Sequence, residues 1–561
     1  MRKASVSSEQ RGALVSVKLA VFLIILLGLI AYSNSLRNEF VWDDVSSVQF
    51  NKHITSPSYI PEIFKSDFHH VGRSQGNFYR PVLTLSFMLD YKLWGERATG
   101  SKAANQVVGH GAARGFHRTN MLMHIGVALL VFFLVKAVFQ KAGAALAASL
   151  LFVVHPIHTQ AVTYVSGRGD MLTNLFLLSS FLLYWRVSGG SAENDSGQRR
   201  AQDVLCVAGA ILCYIAALLS KESAIILPFL VLACALVFRE RRNRKALAII
   251  IGLFICMVAY AVLRETSLKF GITTTDPLPF GERILKGSQA FATYIRLLFV
   301  PAGLHMERGI EKVSPLAVIF TIACLAGACI FAWKRWRQSP AIVFALLWFL
   351  IAWLPVSGVY PLNAAIAEHW LYLPSIGFIA FVVARVDRIL TSERIRLAPR
   401  HLRALSVGCL AIILLCFTAL TMRRNTDWHD NISLFTSTLE YAPDSSRVHY
   451  NLAVAYQGQG EEEKALNEFG ETLRLDPNNA YLRLDLAAMR AGKGEQEEAA
   501  RLYLEAIQLN PNDPDIVEAY VNLARIYHKG GKPEEAAKLM QKAYQVNPQV
   551  MRKWFPQLGQ Q

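Results

Sequence analysis

The sequence is short of charge. Of 561 residues only 18% are Asp, Glu, Lys or Arg, against about 25% in an ordinary soluble domain. Hydrophobic residues make up 53%. That balance excludes a disordered chain and a single soluble globule. Cysteine is sparse where it would carry chemistry. Cys206, Cys213, Cys234, Cys256, Cys324, Cys329, Cys409 and Cys416 all sit in apolar runs, and none has C-x-x-C spacing. A disulfide scaffold and a thiolate zinc site are thereby excluded, and the thiols read as small apolar fillers of buried helices. Acidic side chains are scarce in one part only. Residues 1–427 hold 44 basic and 23 acidic side chains, whereas residues 428–561 hold 14 and 19. The split predicts two domains of different solvent class, 1–427 and 428–561.

What the first part has in quantity is long apolar runs. Crossing a ~30 Å hydrocarbon core takes about 20 helical residues, with a range of roughly 17–25. Runs that meet or approach this are 13–33, 119–138, 142–157, 170–185, 204–219, 222–238, 246–263, 314–333, 340–355, 371–386 and 404–422. The first follows Arg2, Lys3 and Arg11 and precedes a poor cleavage sequence, Tyr32-Ser33-Asn34-Ser35, which predicts an uncleaved signal anchor. With the N-terminus inside, the basic groups at Lys136/Lys141, Arg199-Arg200, Arg239 to Lys245, Lys334 to Arg337 and Arg385 to Arg403 all fall on the cytoplasmic side. The net charge of +16 is then a topology signal and no sign of a nucleic-acid partner. Eleven spans leave the C-terminal domain outside the cytoplasm and make 36–118 the first outside loop. Residues 284–304, interrupted by Lys286, Arg296 and Pro301, would break this alternation, so they are expected to form an interfacial or re-entrant element.

The second part repeats itself. Tyr450-Asn-Leu-Ala453, Leu484-Asp-Leu-Ala487 and Val521-Asn-Leu-Ala524 recur with Gly460, Gly494 and Gly531, then Ala465, Ala499 and Ala536, then Pro477, Pro511 and Pro548. The steps of 34 and then 37 residues, with small residues where paired helices cross, are the tetratricopeptide pattern. Repeats are expected at about 446–479, 480–513 and 514–550, stacked as an α-solenoid whose concave groove holds protein or peptide.

Ionisable residues outside the membrane gather at span ends. The first outside loop opens Asn38-Glu-Phe-Val-Trp-Asp43-Asp44, and either aspartate could accept a hydroxyl proton; a solvated turn would look the same. Asn77-Phe-Tyr-Arg80-Pro81 precedes an apolar stretch to Trp94 that reads as an interfacial helix. Arg80 there could fork onto a lipid phosphate or simply snorkel. The second outside loop reads His155-Pro-Ile-His158-Thr-Gln160, then Gly167-Arg168-Gly-Asp170. Two histidines without a third close ligand, and with Pro156 between them, make a poor metal site, while Arg168 oriented by Asp170 could form a phosphate corner. Lys221-Glu222 and Glu368-His369-Trp-Leu-Tyr372-Leu-Pro374-Ser375 open two further spans from the same face. Ionisable groups collected on one face usually mark a pathway or a site.

Together these motifs resemble the transmembrane and tetratricopeptide-repeat-containing protein O-mannosyltransferases, within the GT-C protein O-mannosyltransferase superfamily. The resemblance rests on Phe40-Val-Trp-Asp43-Asp44, Tyr79-Arg80-Pro81, His155-Pro-Ile-His158-Thr-Gln160-Ala-Val, Gly167-Arg168-Gly-Asp170, Lys221-Glu222 and His369-Trp-Leu-Tyr372-Leu-Pro374-Ser375. It implies an all-α fold: a GT-C-like membrane bundle of about 11 spans followed by the solenoid. It also implies transfer of a sugar, mannose or another hexose, from a polyprenyl-phosphate carrier to a protein hydroxyl, with inversion. Asp43 or Asp44 would then be the base. Arg80, Arg168 and the groups around His155, His158, Asp170, Lys221, Glu222, Glu368, His369 and Tyr372 would hold the donor phosphate. The repeats would present the acceptor. No cofactor is implied, since the lipid-linked sugar is a substrate, and a divalent metal is not expected. Gln160 and His369 depart from the family pattern and leave the sugar open. The compact loops point to a bacterial inner membrane ahead of the endoplasmic reticulum. A non-catalytic scaffold and a lipid-linked sugar transporter are the competing readings. A transporter would place its ionisable groups at mid-membrane, whereas these lie at span ends.

Overall fold

A computed structural model describes residues 16–68, 78–95, 107–189, 197–239, 243–267, 278–310, 312–360, 362, 364–391 and 398–555. Arg2, Lys3, Arg11, Asn77, Arg241, Arg242, Arg394, Arg396 and the side chains of Arg199 and Arg200 lie outside the described residues. The chain divides into two compact units, Met1–Leu434 and Phe435–Gln561. The regular elements described in both are helices.

In the first unit these are α1 (Val17–Tyr32), α2 (Ile60–Ile63), α3 (Pro81–Asp90), α4 (Ala113–Phe139), α5 (Ala142–Val154), α6 (Thr159–Val162), α7 (Arg168–Ser188), α8 (Gly197–Leu218), α9 (Leu227–Val237), α10 (Arg244–Val262), α11 (Phe280–Phe299), α12 (Pro315–Arg335), α13 (Pro340–Trp353), α14 (Pro374–Leu390) and α15 (Pro399–Asp427). Each of the eleven apolar runs is largely helical where it is described. Among the described residues, six stretches are long and apolar enough to cross a membrane on their own: Val17–Arg37, Ala113–Phe139, Ala201–Leu218, Arg244–Thr266, Pro315–Arg335 and His401–Asp427. A seventh is the pair Ala142–Val154 and Pro156–Val162, bent by 50° at the break. The other runs fall short for visible reasons. Helices α9 and α13 are brief, and α7 opens on buried Arg168 and Asp170. Such helices are tolerated where protein, not lipid, surrounds them. The first unit is thus a membrane domain.

Its core follows from apolar residues on facing helices. Helix α4 packs against α1, α5 and α7, while α14 packs against α13 and α5. At Gly377 the backbones of α14 and α13 come so close that a Cβ would stand 2.6 Å from the Phe349 nitrogen. Outward faces are equally apolar, with Leu316 76% and Trp333 80% exposed on α12, as a lipid-facing surface requires. Cys206 and Cys234 fill the core as expected, but Cys329, Cys409 and Cys416 are exposed on helix faces. An apolar run does not distinguish a protein-facing thiol from an outward one.

Polar contacts sort the loops onto two ends of the bundle. At one end Lys141 pairs with Asp387 at 2.5 Å and Lys245 with Asp203 at 2.7 Å, and Arg388 bonds Ser339. All six come from segments assigned to the cytoplasmic side, or their immediate flanks. The other end gathers the loops expected on the outside. Helix α11 touches this second end at both of its termini: Arg283 donates to the Val359 carbonyl at 2.9 Å, and the Leu298 carbonyl faces His155 Nε2 at 3.1 Å. These contacts tie both ends of α11 to the same set of loops.

Helix α16 (Asn431–Leu439) crosses the boundary between the units. The second unit continues with α17 (Ser446–Gly458), α18 (Glu462–Leu475), α19 (Ala480–Gly492), α20 (Gln496–Leu509), α21 (Val517–Lys529), α22 (Pro533–Val546) and α23 (Pro548–Trp554). Within each antiparallel pair the turn residue is Gly460, Gly494 or Gly531, at φ +78°, +82° and +75°. Only glycine adopts this left-handed backbone without cost, so the recurring glycines are a geometric requirement. Ala453, Ala465, Ala487, Ala499 and Ala524 are buried where the helices cross. The longer second step is taken up by the single turn Pro514–Ile516.

Candidate functional site

The first outside loop leaves α1 through the turn Ser33–Arg37 and reaches the two aspartates at once. Trp42, just before them, has a left-handed backbone, φ 52°, which costs a non-glycine residue about 1–2 kcal/mol. Its N–H is held by the Asn431 side chain at 2.8 Å, and its ring stacks on Tyr164 with centroids 5.8 Å apart. Such strain persists only where surroundings over-determine it, typically at functional sites.

The two carboxylates then part company. Asp44 is fully buried. Its Oδ1 accepts the Ser166 N–H at 2.7 Å and the Ser166 hydroxyl at 2.6 Å, while its Oδ2 accepts the N–H groups of Val41 and Val165, each at 3.3 Å. Burial pushes its carboxyl up to about 7, and these hydrogen bonds restrain the rise. With four donors on two oxygens, Asp44 staples the first outside loop to the second. Asp43 is half-buried beside Tyr164. Burial first, then the charges of Asp43 and Asp44, hold the Tyr164 phenol well above its ordinary value.

A second group brings together five of the expected residues. Arg80 forks onto Glu222 through Nε at 3.1 Å and Nη2 at 2.7 Å, leaving its Nη1 edge uncommitted. Lys221 Nζ bonds Asp170 Oδ1 at 2.7 Å. His369 adjoins them. Burial first, then the positive charges of Lys221 and Arg80, hold its imidazole well below the usual range. Gln160 tethers this segment, its side-chain oxygen accepting the His369 N–H at 3.0 Å. A phosphate arriving here would meet a paired arginine edge and a lysine with spare donors.

The phosphate corner expected at Gly167–Asp170 does not form. Asp170 serves Lys221, and Arg168 is fully buried with all its donors placed. Its Nε bonds Asn120 at 2.6 Å, Nη1 meets the Ser86 carbonyl and hydroxyl at 3.2 and 3.4 Å, and Nη2 meets Asp90 at 2.5 Å and the Phe116 carbonyl at 3.1 Å. Five N–H groups with five acceptors leave nothing for a ligand. The two histidines are likewise spoken for. His155 bonds the Leu298 carbonyl and accepts the Ile157 N–H, and His158 bonds the Phe152 carbonyl and Ser375. Tyr372 turns into the bundle, its hydroxyl 2.7 Å from His124 Nδ1.

Glu368 anchors a third group that sequence reading missed. It is buried, and its Oε1 accepts the His305 N–H at 2.6 Å and Arg308 Nη2 at 3.0 Å, with Arg424 Nη2 3.7 Å from Oε2. Arg424 lies over the Trp428 ring, which neighbours Tyr164 at 5.5 Å between centroids. The only signal for Arg424, Asn425 and Trp428 was the polar stretch ending the last apolar run. Asp90 and Asn120 gave none beyond being lone polar residues among apolar ones. Among the described residues no three His, Cys, Asp or Glu side chains gather as a metal site.

Tetratricopeptide-repeat family models match residues 446–479 and 478–549. A Caenorhabditis elegans protein O-mannosyl-transferase is 27% identical over 450 residues, covering 77% of this chain and 59% of its own length. Human protein O-mannosyl-transferase TMTC3 is 27% identical over 482 residues, covering 78% and 49%. The chain thus spans roughly half the length of these curated relatives. Among solved structures, the Archaeoglobus fulgidus oligosaccharyltransferase in the apo form aligns with 77% of this chain and 59% of its own, at 13% identity and a TM-score of 0.44. Over about three quarters of its length the chain is similar to the protein O-mannosyl-transferases.

Proposed function

We propose that this chain is a membrane glycosyltransferase that moves a hexose, mannose by resemblance, from a polyprenyl-phosphate carrier to a Ser or Thr hydroxyl of a protein. The reading is carried by one observation: the half-buried Asp43 directly follows the strained Trp42 in the first loop, while Arg80, Lys221 and His369 gather among loops expected on the same side. Asp43 takes the acceptor hydroxyl proton. The acceptor oxygen then bonds the anomeric carbon from the face opposite the phosphate, and the carbon–oxygen bond to the carrier breaks with its electron pair left on phosphate. That inverts the anomeric centre. Asp44 has its lone pairs engaged and positions Asp43. The Nη1 edge of Arg80 and the spare donors of Lys221 stabilise the departing phosphate, the kind of preorganised electrostatics that dominates such steps. The N-terminus is cytoplasmic, eleven crossings bring the second unit outside, and its groove holds the acceptor polypeptide.

The test uses purified full-length protein, a polyprenyl-phosphate hexose and a Ser/Thr acceptor peptide. Asp43→Asn is expected to lower transfer by about 10²–10⁴-fold while carrier binding persists. Unchanged transfer in Asp43→Asn removes the assigned base. Absence of transfer by the wild type with every hexose tried favours a repeat-bearing scaffold instead.

A further inference from the structure

One end of α15 is tied to three other elements through one residue. Asn425 is fully buried. Its Nδ2 donates to the Ala31 carbonyl at 2.9 Å and to Asn34 Oδ1 at 2.8 Å, both at the end of α1. Its Oδ1 accepts the Thr163 hydroxyl at 2.7 Å, in the second outside loop. Its own carbonyl accepts Asn38 Nδ2 at 2.8 Å, from the first outside loop. The Ala31 carbonyl can only accept, so the amide has one possible orientation. Around this hub Asn34 also bonds the Met422 carbonyl at 2.7 Å, Glu39 N–H bonds the His429 carbonyl at 2.8 Å, and Trp42 N–H bonds Asn431.

Thr163 is where this network meets the aspartates. It is fully buried, and the next three residues are Tyr164, which stacks on Trp42, and Val165 and Ser166, which grip Asp44. The span that closes the membrane unit therefore fixes, through one hydroxyl, the loop that fixes the aspartates. We infer that Thr163 and Asn425 are positioning residues for Asp43, locking the last span to both outside loops so that the carboxylate is held where the acceptor hydroxyl arrives. This rests on the glycosyltransferase reading for its kinetic consequence and on geometry alone for its structural one.

Two substitutions in the full chain separate the possibilities. Thr163→Val keeps shape and loses the hydroxyl, whereas Thr163→Ser keeps the donor. A misplacement of about 1 Å can cost on the order of 10²-fold in rate. Thr163→Val is accordingly expected to lower kcat by roughly 10- to 100-fold, with the carrier KM held within about twofold. Thr163→Ser is expected to retain kcat within about threefold of wild type. Amide exchange over 41–49 is followed in parallel. It is expected to speed up in Thr163→Val and not in Thr163→Ser, with α3 unaffected in both. A wild type that transfers no sugar, with this exchange pattern intact, refutes the transferase reading and leaves the lock standing. Unchanged exchange at 41–49 in Thr163→Val, or a loss of kcat shared equally by Thr163→Ser, overturns the inference.

Discussion

Ion pairs of similar length in the two units can have opposite surroundings. In the membrane unit Arg168–Asp90 closes at 2.5 Å with side chains 0% and 1% exposed, and Lys221–Asp170 closes at 2.7 Å with 11% and 9%. In the repeat unit Arg474–Glu471 and Arg490–Glu495 also close at 2.7 Å, but their side chains are 38–61% exposed. Water screens the second set, and exposed pairs of that kind contribute about 0–1 kcal/mol. The first set has given up its hydration, and each member is intolerant of losing its partner. Charge survives there because it is fully bonded, as at Arg168, or because it is paired and kept partly open, as at Arg80 and Lys221.

The sharpest way to break this contrast is Arg168→Met. It fills similar volume but leaves Asp90 buried without its charged partner, while the Thr119 hydroxyl still donates at 2.8 Å. Losing one partner of a buried pair costs about 3–5 kcal/mol, so the variant is expected to unfold well below wild type in detergent. The double variant Arg168→Met, Asp90→Leu should recover much of that loss. If the single variant melts with wild type, burial is not what gives the pair its weight.

Next in size is a pH effect at Asp44. Burial raises its carboxyl to about 7 in the folded chain, above its value of about 3.9 in an unfolded one. The folded state therefore binds the extra proton between these values. Stability from this group is fully present below pH ~4 and is lost as pH rises through about 7. Melting temperature followed from pH 4.5 to 8 should fall across that window in wild type, and less steeply in Asp44→Asn. Ser166→Ala removes a hydrogen bond that favours the charged form, so its carboxyl should rise further and the falling limb should move to higher pH. A limb that stays put, or moves down, contradicts the burial account.

These tests also mark what the sequence could and could not reveal. The helices, the two-part division and the repeats were legible because they are local or periodic: glycine recurs at each left-handed turn, and apolar runs span the bundle. Asp43 and Asp44 stood out as adjacent acids beside a span. The partners that give those acids different roles did not, since Ser166 lies 122 residues from Asp44 and Asn425 lies 262 from Thr163. Arg168 was assigned to phosphate because Asp170 stands two residues away. Its actual partner Asp90 is 78 residues distant, and helix packing rather than chain proximity chose between them. A lone polar residue in an apolar run reveals its partner only when the helices meet.

A smaller effect is expected where the membrane unit's charges remain partly open. Glu222→Gln removes the negative partner of Arg80 while keeping a hydrogen-bonding side chain. Arg80 is only partly exposed, at 13% for the side chain, so its field should then reach an incoming phosphate with less compensation. The variant is expected to bind polyprenyl phosphate a few-fold tighter, by the ~1.4 kcal/mol-per-tenfold scale a change of under about 1 kcal/mol. Weaker binding would mean that Glu222 holds the Arg80 fork in place, and that orientation outweighs charge.

The smallest effect belongs to the repeat unit and completes the comparison. Arg490 and Glu495 bridge the turn between α19 and α20 at 2.7 Å, with side chains 38% and 44% exposed. Two long side chains must be ordered to make that contact, in water and in salt, so a double-mutant cycle with Arg490→Ala and Glu495→Ala should give a coupling of about 0.2–1 kcal/mol. It should shrink further as salt shortens the screening length below about 8 Å. The neighbouring Gly494, at φ +82°, supplies the internal control, because Gly494→Ala strains the same turn through the backbone and should cost more than the whole ion pair without any salt dependence. A coupling of several kcal/mol at Arg490 would show that matching distances do report matching energies, and the contrast between the two units would then have to rest on something other than burial.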